Sequence, residues 1–522
     1  MTFKNIRKSC IQSIPNSVLI EIVVSLSILI GIFFRFYRLG FQELWYDELF
    51  STVSASEPSL VNLISNWLIT DGNPPGYGLL LWIWLKLFPA TEFFVRLPSA
   101  IFSSFTLILF YYLAKKAISK RVSALATILF AFSFGGLLYA QEARNYGLLI
   151  LGSTITTFTW WYIVHYFQNR SLFLRYLIVY FLSLICLSYI HYFGILFGVI
   201  FTSYLFLLSL YHRRNFIPLL IGIIFWFLFY LPWLNHLLFL LKIDKSLWQF
   251  SGFDTFKGYF THLLFANHPV SKVVTIIFLI TAFVAVILRI LSSIQTKGIT
   301  KLFQIDRYAL YYTFGMSIAA LVFLPFAIKG IDYRHFMVFF PLHFIFIGIV
   351  FASLFKKRWV VVISLMFGIS LLAFYFQIGD YYNIHKQQWG TAVKYVLNNY
   401  NSDSVIIILG VPQQSPPVEY LKKGEIYQSF YIHNLPFFQY YFDRFNEKKK
   451  IIELKVFQPK LEIFKAFINS LGDSGKSEIF ILGGHHLKLD SKTVSFLENQ
   501  ALQYYEETLY STKLYWYKFD KM

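Results

Sequence analysis

Two adjacent carboxylates, Asp47 and Glu48, lie in the stretch WYDELFS, just past the first long apolar segment of the chain. A carboxylate near hydrocarbon costs roughly several kcal/mol unless it faces water or a partner, so an acidic pair in that place is a candidate for proton chemistry. The competing reading is a solvated loop, and one pair does not decide between the two. Three further polar clusters accompany it. Residues 71–77, DGNPPGY, form a rigid corner, because consecutive prolines bar a helix and remove two backbone donors. Residues 141–146, QEARNY, place Glu142 and Arg144 at the end of one apolar segment, and residues 332–335, DYRH, place Arg334 at the end of another. A single interfacial arginine is more often a headgroup anchor than a ligand, so these too need context.

That context is a membrane. With 57% hydrophobic, 21% aromatic and 14% charged residues over 522 positions, the chain does not have the composition of a soluble domain. Apolar runs long enough to span recur near 18–34, 97–114, 122–140, 147–166, 176–190, 193–210, 216–233, 273–288, 308–328, 336–355 and 359–378, which predicts about eleven transmembrane helices. The run at 76–88 is too short to cross at about 1.5 Å per residue and contains Lys86, so it is assigned to the outer interface. The N-terminal Lys4, Arg7 and Lys8 precede a run of spanning length with no small-residue cleavage site after it, which reads as a retained signal anchor with a cytoplasmic N-terminus.

This parity is supported by charge. Lys and Arg are about three times denser in the segments it places inside (1–17, 115–121, 167–175, 211–215, 289–307, 356–358) than in those it places outside. Making 76–88 a full span would put Lys115, Lys116, Lys120 and Arg121 outside. Of the acidic residues before position 380, only Glu21 and Asp306 fall elsewhere than the outer segments, so any acid chemistry is extracytoplasmic. The net charge of +19 is spread over membrane-flanking loops and the C-terminal region and forms no basic stripe, which argues for topology and anionic lipid and against nucleic acid. Cys10 and Cys186 form neither a disulfide framework nor a metal-binding spacing.

From residue 380 the texture changes. Runs at Val405–Leu409, Ile451–Val456, Ile479–Leu482 and Tyr510–Phe519 read as strands, with helices at Thr391–Asn399 and Leu461–Leu471. The domain layout is therefore a membrane domain over 1–379, with a first extracytoplasmic loop at 35–96, followed by an extracytoplasmic soluble α/β domain over 380–522. Gly483-Gly484-His485-His486 reads as a glycine-rich strand end with surface histidines and is given no catalytic role.

Taken in order, WYDE, DGNPPGY, LPSAIFSS at 97–104 and YAQEARNYGLL at 139–149 resemble the GT-C membrane glycosyltransferases, in particular the protein O-mannosyltransferase and aminoarabinose transferase group. Downstream, YIHYFG at 189–194, YRHFMVFFPL at 333–342 and WGTAVKYVL at 389–397 are similar to that group's bacterial members. The resemblance implies a polytopic GT-C fold in the plasma membrane and an inverting transferase that takes a sugar from a polyprenyl-phosphate carrier on the outer leaflet. Asp47 matches the first-loop carboxylate that accepts the acceptor proton, and Glu48 the neighbouring acid that orients it or the acceptor. Arg144 and Arg334 are the candidates for the donor phosphate, since a planar guanidinium meets developing phosphate charge bidentately. Asn73, Tyr77, Glu142, Tyr146 and His191 are candidates for positioning donor or acceptor. This reading fixes no cofactor and leaves room for a divalent metal.

One departure from the group stands out: where its aminoarabinose transferases carry an acidic residue and a lysine before the corner proline, this chain has Gly72 and Asn73. Asp71 and His191 are the residues left that could hold a divalent metal. The alternative function is a transporter or flippase for a lipid-linked sugar, using the same carboxylates as a proton relay. It lacks support from any internal repeat, and the acidic residues cluster at the outer surface instead of mid-span. The acceptor stays open among glycan, lipid and protein hydroxyls.

Overall fold

A computed structural model describes residues 16–242, 252–264, 269, 273, 305–328, 330–354, 359–383, 386–409, 434–445, 454–457, 461–462, 465, 477–484, 488–509 and 512–519. Two compact units emerge, one of Met1–Tyr37 with Leu97–Tyr382 and the other of Arg38–Arg96 with Asn383–Met522. The first loop therefore groups with the C-terminal region and not with the spans that flank it in sequence.

The described residues hold 9 helices long and apolar enough to cross a membrane: Ser17–Phe36, Glu92–Ala117, Tyr146–His165, Arg170–Ile190, Tyr192–His212, Phe216–Leu241, Ala309–Ala327, Tyr333–Ala352 and Trp359–Gly379. Each coincides with one of the apolar runs of the sequence. The run at 273–288 lies outside the described residues. The run at 122–140 is not a continuous helix: it breaks at Ser133, whose backbone is extended, into Lys120–Phe132 and Phe134–Leu138. The Ser133 hydroxyl donates to Phe130 O (2.9 Å) and accepts from Gly136 N (3.2 Å), ending one helix and capping the next.

Packing in this unit relies on close approach and internal polar pairs, since lipid gives helices no hydrophobic reason to associate. A Cβ on Gly147 would sit 2.9 Å from the Ser99 carbonyl oxygen, so that crossing tolerates only glycine. Beside it, Ser99 Oγ donates to Arg144 O (3.1 Å), tying the turn before helix Tyr146–His165 to the neighbouring span. Deeper in, His343 is hydrogen-bonded through Nδ1 with Tyr259 (2.6 Å) and through Nε2 with Ser317 (2.8 Å), joining three helices.

The other unit contains a five-stranded sheet of order β2-β1-β3-β5-β4, with β1 Ser404–Leu409, β2 Leu454–Phe457, β3 Glu478–Gly483, β4 Gln503–Leu509 and β5 Thr512–Lys518. The first three run parallel, and β5 is antiparallel to both β3 and β4. β1 and β3 are buried along their whole length, which is why SVIIIL and EIFILG are nearly continuous apolar runs. Four of these strands and helix Trp389–Asn399 match sequence expectation. Strand β4 and the helices Asn434–Phe445 and Ser491–Gln500 do not: QYYEETL is too charged to show a buried face because it is an exposed edge. Most of the helix expected at Leu461–Leu471 lies outside the described residues, as do His485 and His486.

Candidate active site

Asp47 and Glu48 occupy the first turn of helix Tyr46–Ala55, where the helix dipole favours carboxylates. Their environments diverge at once. Asp47 is partly exposed, and its carbonyl accepts from Ser51 Oγ (3.1 Å). Glu48 is completely buried, and its carboxylate meets two cations: Arg96 forks onto it with Nε at 2.7 Å from Oε1 and Nη2 at 2.8 Å from Oε2, while Lys386 Nζ lies 2.9 Å from Oε2. Trp45 N also points at Oε2 (3.3 Å), half of a capping arrangement. Such a carboxylate fixes the turn that carries Asp47.

The sequence does not single out Arg96. All five of its N–H groups are used, two on Glu48 and three on the carbonyls of Leu39 (3.0 Å), Gln42 (2.7 Å) and Glu43 (3.0 Å), so it shapes the loop that leads into the helix. By residue type and position it reads as one more interfacial arginine, and the only clue to its role is that a buried acid must have a cation. Glu43 corrects an expectation more directly. One turn before Asp47, it reads as a solvated charge, yet its carboxylate accepts from Gly390 N (2.6 Å) and Thr391 Oγ1 (2.7 Å), capping helix Trp389–Asn399. Burial pushes its pKa above the ordinary 4.5, against the lowering effect of those bonds.

The corner DGNPPGY belongs to the same unit. Asp71 Oδ1 accepts from Asn73 N (3.1 Å) and Nδ2 (3.2 Å), an Asx turn that leads through Pro74 and Pro75 into helix Gly76–Leu85. That helix packs against helix Tyr46–Ala55 and buries Tyr77. Asp47, Glu48, Asp71, Asn73 and Tyr77 are thus gathered in one unit.

The remaining candidates gather in the other. The connection 139–145 is non-helical and yet buried, with Gln141, Glu142, Arg144 and Asn145 all under a tenth exposed. Polar backbone and side chains enclosed at a helix junction are expensive, and such connections mark functional positions. Asn145 Nδ2 donates to Ile190 O (2.8 Å), bringing the junction at His191 alongside. His191 bridges helices Arg170–Ile190 and Tyr192–His212 in extended backbone, and its Nδ1 accepts from Phe193 N (3.0 Å). The neutral ring therefore carries its proton on Nε2, which has no hydrogen-bond partner among the described residues although the residue is 2% exposed. Burial, then the charges of Arg144 and Arg334, push His191 down to about 3, so it is neutral at any physiological pH.

Arg334 opens the 3-10 turn Tyr333–Phe339, which Asp332 caps by accepting from Tyr333 N (2.6 Å) while Asp332 N donates to His335 Nδ1 (3.0 Å). Its Nε lies 3.2 Å from Asp332 Oδ2, an ion pair without hydrogen-bond geometry. The Tyr146 ring stands 4.6 Å from Tyr139 and 6.0 Å from His191, and the His335 ring 5.4 Å from His191. Tyr139, hydrogen-bonded to Tyr333, is pushed well above its ordinary pKa, first by burial and then by Tyr333, Glu142 and Tyr146, with Arg334 opposing. Arg144, Arg334, Glu142, Tyr146 and His191, scattered over almost 200 positions of sequence, form one cluster. Tyr139, Asp332 and His335 complete it; they lie in the stretches YAQEARNYGLL and DYRH, but the sequence assigns them no role of their own.

Among the described residues no three His, Cys, Asp or Glu side chains converge as a metal site would require.

Residues 72–236 match the family model described as dolichyl-phosphate-mannose-protein mannosyltransferase. Among solved structures, ArnT from Cupriavidus metallidurans superposes with a TM-score of 0.58 in the apo state and 0.55 bound to undecaprenyl phosphate, at 10% and 11% identity, each covering 94% of this chain and 97% of that one. The oligosaccharyltransferase of Archaeoglobus fulgidus in complex with Zn and sulfate gives 0.52 at 12% identity, covering 94% of this chain and 72% of that one. No curated protein sequence matches. The chain thus shares the fold of these two solved proteins, a polytopic helical membrane fold of the kind the motifs of the sequence implied.

Proposed function

We propose that this chain is an inverting glycosyltransferase that moves a sugar from a polyprenyl-phosphate carrier to an acceptor hydroxyl on the extracytoplasmic face. The observation that carries the reading is the cluster of Arg144, Arg334 and the neutral Nε2–H of His191, three donors suited to a phosphate anion, at a buried junction between spans. A fold shared with a protein solved bound to undecaprenyl phosphate supports the same donor class. In the reaction, Asp47 accepts the proton of the acceptor hydroxyl as its oxygen bonds to the anomeric carbon. The bond from that carbon to the phosphate oxygen breaks, and its electron pair leaves with the carrier phosphate, where the guanidinium groups meet the added charge. Glu48 supports Asp47 by holding its turn. The N-terminus is cytoplasmic and residues 380–522 extracytoplasmic, on the charge bias of the loops. The acceptor is a glycan, lipid or protein hydroxyl.

The test is transfer of radiolabel from a panel of undecaprenyl-phosphate sugars by the purified full chain reconstituted into vesicles with a cell-envelope extract as acceptor. Label in acceptor and release of undecaprenyl phosphate are expected for one sugar. Movement of intact labelled carrier between leaflets, with no release of carrier phosphate, would make the chain a flippase.

A further inference from the structure

The stretch WGTAVKYVL and the three residues before it have no part in the reaction described above, yet they hold the first loop almost residue by residue. Gln42 Oε1 accepts from Lys386 N (3.2 Å), Glu43 from Gly390 N (2.6 Å) and Thr391 Oγ1 (2.7 Å), and Glu48 from Lys386 Nζ (2.9 Å). Between them, Tyr46 N donates to Gln387 Oε1 (2.8 Å), which also accepts from Trp389 Nε1 (3.1 Å), and Leu44 N donates to Tyr441 Oη (3.0 Å). Tyr46 N is one of the donors that every helix start leaves without a backbone partner, and here a side chain 341 positions away supplies it. Gly390 is required for the approach: a Cβ there would stand 2.8 Å from the Tyr441 ring and 3.2 Å from the Glu43 carboxyl carbon. Lys386 is nearly as buried as Glu48, so its ammonium is committed to this contact.

From this zipper we infer that segment 386–391 is a clasp that positions the first turn of helix Tyr46–Ala55, with Lys386 and Gln387 as positioning residues for Asp47. The inference rests on Asp47 being the base. Asp47 stays partly exposed while the residues on either side, Tyr46 and Glu48, are fixed by Gln387 and by Lys386 with Arg96. The geometry of proton abstraction is then set by residues in the segment after the last span. Proton transfer and near-attack geometry are sensitive to displacement: about 1 Å of misplacement costs on the order of 10²-fold in rate.

The experiment compares Lys386→Met, Lys386→Arg, Gln387→Leu and Asp47→Asn in the reconstituted full chain, each rate normalised to the folded fraction. Turnover at saturating undecaprenyl-phosphate sugar should fall about 10–10²-fold in Lys386→Met and Gln387→Leu, with the KM for that donor unchanged, and recover to within a few fold in Lys386→Arg. Amide exchange over residues 44–50 should accelerate in Lys386→Met and stay at the wild-type rate in the peptide 146–165. A structural role alone would lower the folded fraction and leave the normalised turnover intact, which overturns the inference. If Asp47→Asn is inactive while Lys386→Met and Gln387→Leu turn over normally, the clasp is wrong and the base assignment stands. Retained turnover in Asp47→Asn removes the base assignment and the clasp's role with it.

Discussion

Arg96 and Arg334 meet carboxylates in opposite ways. Arg96 forks onto Glu48 at 2.7 and 2.8 Å and spends its other three donors on loop carbonyls, in a place 2% exposed. Arg334 faces Asp332 at 3.2 Å without hydrogen-bond geometry, keeps some exposure, and shares its surroundings with Arg144 and a neutral histidine. Both arginines lie near the ends of apolar helices, and residue type alone does not tell their surroundings apart. What separates them is how their charge is compensated. A buried guanidinium with all five donors engaged by protein is a fixture, because removing either partner strands a charge. Two guanidinium groups and a neutral imidazole N–H, with the carboxylates of Glu142 and Asp332 beside them, make a donor-rich basin that on the proposed function receives an anionic group.

The largest expected effect tests the other side of the same contrast, between the two adjacent carboxylates. A positioned base contributes about 10²–10⁴-fold, so Asp47→Asn, nearly isosteric, should lose that much turnover while undecaprenyl phosphate still binds. Near-normal turnover would move the base elsewhere, and Glu142→Gln would be the next variant to assay.

The arginines themselves come second. Arg96→Met should destabilise the fold by about 3–5 kcal/mol, because Glu48 is left buried with only Lys386 opposite. On the proposed function, Arg144→Met should lose the stabilisation by undecaprenyl phosphate that the wild-type chain is expected to show, and shift the thermal midpoint less than Arg96→Met. If the two variants were equally unstable and both still bound the lipid phosphate, the division into fixture and basin would fail. A smaller effect is expected for Arg334→Lys, which keeps the charge and loses the planar fork: undecaprenyl phosphate affinity should drop about tenfold, or about 1.4 kcal/mol. An unchanged affinity would reassign Arg334 to lipid anchoring.

Much of this is legible in the sequence, for physical reasons. A span must be apolar over about 20 residues, so hydropathy alone locates the nine described spans. Polar residues at span ends are conspicuous against that background, so Asp47, Glu142, Arg144, His191 and Arg334 stand out by residue type and position. The partners of Glu48 do not, because they lie 48 and 338 positions away and neither occupies an unusual local pattern. Lys386 sits where the chain turns hydrophilic, and a lysine there looks solvated. The break at Ser133 is hidden for the opposite reason: both halves of 122–140 are apolar, and hydropathy does not register a backbone turn capped by one serine.

Glu43 gives the smallest effect and the finest test of the comparison. Its two bonds to the start of helix Trp389–Asn399 favour the carboxylate, but burial outweighs them and holds its pKa above 4.5. A carboxyl whose folded pKa is raised binds its proton more tightly folded than unfolded, so its contribution to stability is fullest below about pH 4.5 and is lost as pH rises through the folded pKa. Glu43→Gln removes the titration, keeps one acceptor for Gly390 N, and leaves the Thr391 hydroxyl able to turn round and accept from the new amide. At low pH the variant should therefore be close to wild type. Toward neutral pH it should match or exceed it by about 1 kcal/mol or less. Unfolding midpoints measured from pH 4 to pH 8 for both proteins decide the matter, the wild-type curve falling more steeply above pH 4.5 than the variant's. Parallel curves would mean that Glu43 is satisfied as an anion, as Glu48 is, and that the first loop is held by two compensated carboxylates instead of one.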